Sequence, residues 1–153
     1  MAWYLQKSQL ESSKTNTLLW KNTLLHALTT KASFLVKVKV NKSVLNLAFD
    51  TGATHTVIDT TALLLANCRL SHSQDKPLLE TASGIVTAEL FEISSLLSLG
   101  IQRNDFQVHA YDLIGNGVLT EIDGVLGLDF FEGYKFCVDL GLFEITVTPS
   151  VKY

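Results

Sequence analysis

The sequence predicts an all-β, barrel-like domain with one or two short helices. Three observations predict it. Around residues 34–40 the chain alternates strictly, with Val36, Val38 and Val40 set against Lys37 and Lys39, the pattern of a half-buried strand. Further along, short apolar or β-branched runs recur, each closed by turn residues. The chain has 153 residues, 47% of them hydrophobic, which suits one domain with a real core and argues against disorder.

The elements follow in order. Residues 1–31 are an N-terminal extension of poorly defined structure, in which Leu18, Leu19, Trp20, Leu24, Leu25 and Leu28 suit a short amphipathic helix or a strand equally. The domain proper spans 32–153. A strand from Phe34 turns at Asn41-Lys42-Ser43 and returns over Val44 to Phe49. After Asp50-Thr51-Gly52, the β-branched Thr56-Val57-Ile58 reads as a strand, and Asp59 is placed to cap a helix through Ala62 to Ala66. Leu70 to Lys76 is polar and reads as a loop before Pro77. Leu78 to Ala82 and Ile85 to Phe91 form a hairpin about Ser83-Gly84. Leu96 to Leu99 and Phe106 to Tyr111 are further strands, and Gly115-Asn116-Gly117 marks a loop. Val125-Leu126-Gly127 precedes a single helical turn at 128–131, and Tyr134 to Leu140 and Leu142 to Val147 are strands joined at Gly141.

Composition removes several function classes. A net formal charge of −3 gives no basic footprint for nucleic acid or an anionic membrane. No run reaches membrane-spanning length, and the N-terminus lacks the pattern of a signal peptide. A soluble cytoplasmic protein is therefore expected. Cys68 and Cys137 are too few for a disulfide framework, and Cys137, inside an apolar run, is expected to be buried. His26, His55, His72 and His109 are scattered without metal-site spacing and read as surface or core residues.

The chemistry concentrates at residues 49–58. An apolar strand delivers Asp50 into a tight turn, and the chain leaves as another strand. Hydrolysis of an amide without metal or nucleophilic side chain needs an activated water and a polarised carbonyl. Two carboxylates sharing one proton supply both, because like charges at about 3 Å cannot both ionise. Such a pair needs loops that approach closely. Gly52 has no Cβ to obstruct a partner loop, Thr51 can hydrogen-bond across an interface, and Ala53 is small enough to pack beneath the turn. The Asp-Thr-Gly unit occurs once, and 153 residues are too few for two such domains. Asp123 and Asp129 lie outside any second copy of that motif and read as turn and hydrogen-bonding residues. A second carboxylate would have to come from another molecule.

Asp50-Thr51-Gly52-Ala53-Thr54, the flap-like Thr81-Ala82-Ser83-Gly84 and the downstream Val125-Leu126-Gly127-Leu128-Asp129 together resemble the single-domain, retropepsin-like aspartic proteases, including bacterial members. The resemblance runs from roughly Phe34 to Val147. It implies a closed β-barrel, a homodimer and an aspartic endopeptidase. Asp50 would be catalytic, Thr51, Gly52 and Ala53 would support the catalytic loop, and Ala82, Ser83, Gly84 and Ile85 would form the flap against a peptide or protein substrate. It implies no metal or organic cofactor. The sequence departs from the family in its sparse flap, the brevity of helix after Asp129 and the extension before Lys31. Two other readings stay open: a catalytically weak or inactive module of the same fold that dimerises or binds peptides, and a fragment released from a longer polyprotein.

Overall fold

A computed structural model describes residues 2–4, 26–28, 33–71, 77–81, 84–116 and 121–151. Thirteen strands are present among them: β1 (Ala2–Tyr4), β2 (His26–Leu28), β3 (Ser33–Val40), β4 (Ser43–Phe49), β5 (Val57–Asp59), β6 (Arg69–Leu70), β7 (Leu78–Thr81), β8 (Gly84–Thr87), β9 (Glu89–Ser98), β10 (Ile101–Tyr111), β11 (Gly124–Leu126), β12 (Tyr134–Asp139) and β13 (Glu144–Pro149). One α-helix, α1 (Thr60–Leu65), and one 3-10 turn (Leu128–Phe131) complete the set.

Six strands close on themselves in the order β3-β4-β11-β5-β10-β9, and the β3–β9 pairing at Lys39↔Leu97 and Val40↔Leu96 shuts the barrel. Closure removes the sheet edges that an open sheet would expose. The other half of that edge of β3 is taken by β2, paired at His26↔Leu35, with β1 outside it. Thus part of the N-terminal extension adds strands to the barrel sheet. Two hairpins stand apart as separate two-stranded sheets, β7–β8 and β12–β13.

The alternation in β3 sorts its side chains as expected: Val36, Val38 and Val40 are buried, Lys37 and Lys39 exposed. They meet Leu45, Leu47 and Phe49 of β4 and Leu126 of β11 in one core. Phe130 and Phe131 of the 3-10 turn extend it, Phe131 standing edge-on to Phe49 at 5.4 Å between ring centres. Asp59 caps α1 as expected, its Oδ1 accepting from the Thr61 and Ala62 amides at 2.9 and 3.2 Å. The helix starts directly after this cap, at Thr60, and ends at Leu65, with Ala66 as its C-cap.

Three expectations are corrected. Leu96 to Leu99 is no separate strand: Leu96 to Ser98 end the ten-residue β9 and Leu99 is a turn residue. Leu142 lies in the turn between β12 and β13, where Asp139 Oδ1 accepts from the Gly141 and Leu142 amides, each at 2.9 Å. Cys137 is exposed, because β12 alternates and places it outward with Lys135 and Asp139, while Phe136 and Val138 pack on the core.

Candidate active site

The site grows out of one topological fact. β4 and β5 are joined by residues 50–56, yet they are not neighbours: β11 lies between them, parallel to β4 and antiparallel to β5. The connecting loop must therefore straddle the end of β11. The Asp50 amide donates to Leu126 O at 3.3 Å, carrying the β4–β11 ladder up to the corner. Beyond it, the Leu128 and Asp129 amides donate to Ala53 O and Thr54 O at 2.9 and 3.2 Å, so the loop is laced to the chain that leaves β11.

Gly127 stands where the two segments cross. A Cβ there would lie 2.4 Å from the His55 carbonyl carbon and 2.5 Å from its oxygen, both backbone atoms that cannot step aside. The Val-Leu-Gly signal thus has a steric cause: only glycine lets the loop pass this close.

At the corner, Asp50, Thr51 and Gly52 are exposed and Ala53 half-buried. Asp50 Oδ1 accepts the Gly52 amide at 2.8 Å, and the Ala53 amide donates to Asp50 O at 3.2 Å. The turn therefore presents the carboxylate outward with one oxygen held by a backbone N–H.

Behind the corner, Thr56 and Asp129 make a clasp. Asp129 Oδ1 accepts the Thr56 hydroxyl at 2.7 Å and the Phe130 amide at 2.8 Å, and Oδ2 accepts the Thr56 amide at 2.9 Å. Thr56 Oγ1 in turn accepts the Gly127 amide at 3.1 Å. Asp129 is thereby the hydrogen-bonding residue the sequence suggested. Asp123 joins strands instead: its Oδ2 accepts the Asn46 amide and its carbonyl accepts the Asp59 amide. Neither carboxylate is placed as a second Asp-Thr-Gly corner.

Two histidines flank the clasp. His55 is exposed, as the sequence suggested, with Nδ1 hydrogen-bonded to Thr54 Oγ1 at 2.9 Å. Its ring stands edge-on to that of His109 on β10, 4.8 Å between centres. His109 is only 9% exposed, its backbone amide donates to Thr56 O at 3.0 Å, and its Nδ1 is buried without a hydrogen-bond partner. Burial and the His55 charge hold its imidazole below the ordinary histidine range, with Asp129 pulling the other way. Sequence reasoning left His109 among scattered histidines, because the residues it meets are distant in the chain.

The flap candidates divide. Ala82 and Ser83 lie outside the described residues. Gly84 and Ile85 begin β8, paired to β7 through Thr81↔Gly84 and Glu80↔Ile85, and both are exposed. The Ala88 amide, donating to Pro77 O at 3.0 Å, closes the hairpin base. Among the described residues, no group of three or more His, Cys, Asp or Glu could hold a metal ion. Likewise no helix there is long and apolar enough to cross a membrane.

A closed barrel with a strand threaded between the two arms of an Asp-Thr-Gly loop defines the class as a retropepsin-like, single-domain acid protease fold. The family model described as aspartyl protease matches residues 36–130, and the chain belongs to that family. No curated protein matches it in sequence. The crystal structure of a retropepsin-like aspartic protease from Rickettsia conorii is similar in fold, with a TM-score of 0.58 and 20% identity, over 82% of this chain and 97% of that one.

Proposed function

We propose that the protein is an aspartic endopeptidase that works as a homodimer, each protomer supplying one Asp50. The observation that carries this reading is the outward Asp50 carboxylate, steadied by the Gly52 amide, in a chain of the aspartyl protease family with one Asp-Thr-Gly. Two such corners facing across a twofold axis would share a proton. The ionised carboxylate would take a proton from water while the protonated one polarised the scissile carbonyl oxygen. The titration would then belong to the pair. Thr51, Gly52 and Ala53 would hold the two corners together. An extended peptide would lie between them and the β7–β8 hairpins, Ala82 to Ile85 adding strand-like hydrogen bonds over it.

The test is cleavage of a mixed peptide library at about pH 4–6, a mildly acidic range suited to a carboxyl pair that shares one proton. Asp50→Asn is expected to lower turnover by roughly 10³-fold or more, as loss of an acid–base group does. The circular-dichroism spectrum should not change, since the Asp50 side chain is exposed. Turnover that survives the substitution overturns the assignment. Peptide binding without turnover in either form favours a binding module.

A further inference from the structure

The buried, unpartnered Nδ1 of His109 is the anomaly among the described residues, since buried polar atoms nearly always find a partner. Its surroundings give it a use. The His109 amide holds Thr56 O, and its ring lies against His55, the residue before Thr56. The carboxylate that acts on it electrostatically is Asp129, whose two oxygens are already spent on Thr56 and Phe130. The other titratable groups on the packed elements are otherwise engaged or only flank it. On β5, Asp59 accepts from Thr61, Ala62 and Leu113. On β9, Leu90 stands opposite His109, between Glu89 and Glu92, both exposed. On β10 itself Tyr111 follows two residues on, half-buried.

We propose that His109 is a positioning residue whose charge sets the order of the Asp50 loop. Neutral, it packs beneath His55 and leaves the Asp129–Thr56 clasp closed. Protonated, it brings a second N–H into a place without a free acceptor, against the His55 ring. The nearest relief is Asp129, and an Asp129 carboxylate turned toward His109 leaves Thr56.

The direction with pH follows from linkage. A base held below its ordinary value binds fewer protons folded than unfolded. The stability that neutral His109 contributes is complete above about pH 6.5, the ordinary histidine value, and drains away as pH falls from there through its lowered folded value. The effect on catalysis rests on the proposed peptidase reading; the effect on the loop does not.

The experiment is an NMR pH titration of the full chain, following the His55 and His109 ring protons and the Thr56 and Phe130 amides. The two amides are expected to shift with the His109 midpoint, below that of an ordinary histidine. His109→Phe keeps an aromatic edge against His55 and cannot titrate. In it those amide shifts should vanish, and the fall in unfolding temperature on acidification should weaken. The acid limb of any peptidase profile should move to lower pH. Amides that ignore the His109 titration overturn the proposal, as does a variant with unchanged pH dependence. If the variant does not fold, the titration of the natural chain decides alone. Amides that track His109 in a chain without turnover at any pH support the loop switch and count against the peptidase reading.

Discussion

Gly127 and Asp129 carry the corner in different ways, and single substitutions separate them. Gly127→Ala puts a methyl group into the His55 backbone, so the loop must lift off the end of β11. The expected loss of stability is about 2–3 kcal/mol, the upper range for overpacking, measured by urea denaturation. Turnover should fall further than that loss explains, because the displaced segment carries Asp50. Asp129→Ala leaves the buried Thr56 hydroxyl and amide without their acceptor, at about 1–3 kcal/mol. Asp129→Asn keeps an acceptor for one of the two and should restore part of it. Gly127 was legible in the sequence because its apolar neighbours and its distance from Asp50 fit a family pattern. The use of Asp129 was legible only as a tendency, since which donors it meets depends on a crossing that no local pattern encodes.

The 3-10 turn at 128–131 depends on a residue that drew no attention in the sequence. Arg103 of β10 donates through Nε and Nη2 to Phe130 O at 3.0 and 2.7 Å, and through Nη2 also to Glu132 O. Its guanidinium lies over the Phe130 and Tyr134 rings at 5.9 and 5.4 Å. It thereby closes the end of a turn too short to satisfy its own carbonyls. Arg103→Lys keeps the charge but not the planar fork, and should cost about 1–2 kcal/mol in the denaturation midpoint. Arg103→Met should cost more, since both carbonyls then lose their donor. The strand that holds Arg103 shows why parts of the sheet were hidden. β3 was plain because Val36 to Val40 alternate with lysines, and β4 because it returns directly from a short polar turn. In β10, Asp105 has φ +51° and interrupts the ladder between the pairs Asn104↔Ser95 and Phe106↔Ile93, with the register unchanged on either side. At this interruption the inward phase changes from Ile101 and Arg103 to Phe106 and Val108, so only the second half reads as a strand. The turn before it, Leu99-Gly100, has φ +49° and +78°, a primed hairpin turn with leucine where asparagine or aspartate is usual. Leu99 therefore reads as strand in the sequence and turns in the fold.

On the proposed reading, a barrel that presents one Asp-Thr-Gly corner holds half of a carboxyl pair, and activity would then be a property of concentration. If Asp50 acts only opposite a second Asp50, turnover per chain should rise in proportion to total protein well below the dimer dissociation constant and level off above it. An active monomer would give turnover per chain independent of concentration. Sedimentation at several concentrations fixes the constant independently, and the two curves should share one midpoint. Any ligand or partner that binds only the folded form raises apparent stability by mass action, so the unfolding temperature should climb with protein concentration as well. The sharpest form mixes natural chain with excess Asp50→Asn chain. Exchange sequesters natural protomers in mixed dimers holding one aspartate, and turnover should fall as the variant is added, toward the level of the variant alone. A monomeric enzyme would be indifferent to the mixture. Undiminished turnover, at concentrations where sedimentation shows the mixture to be dimeric, would place the second acid within the chain and dissolve the twofold mechanism.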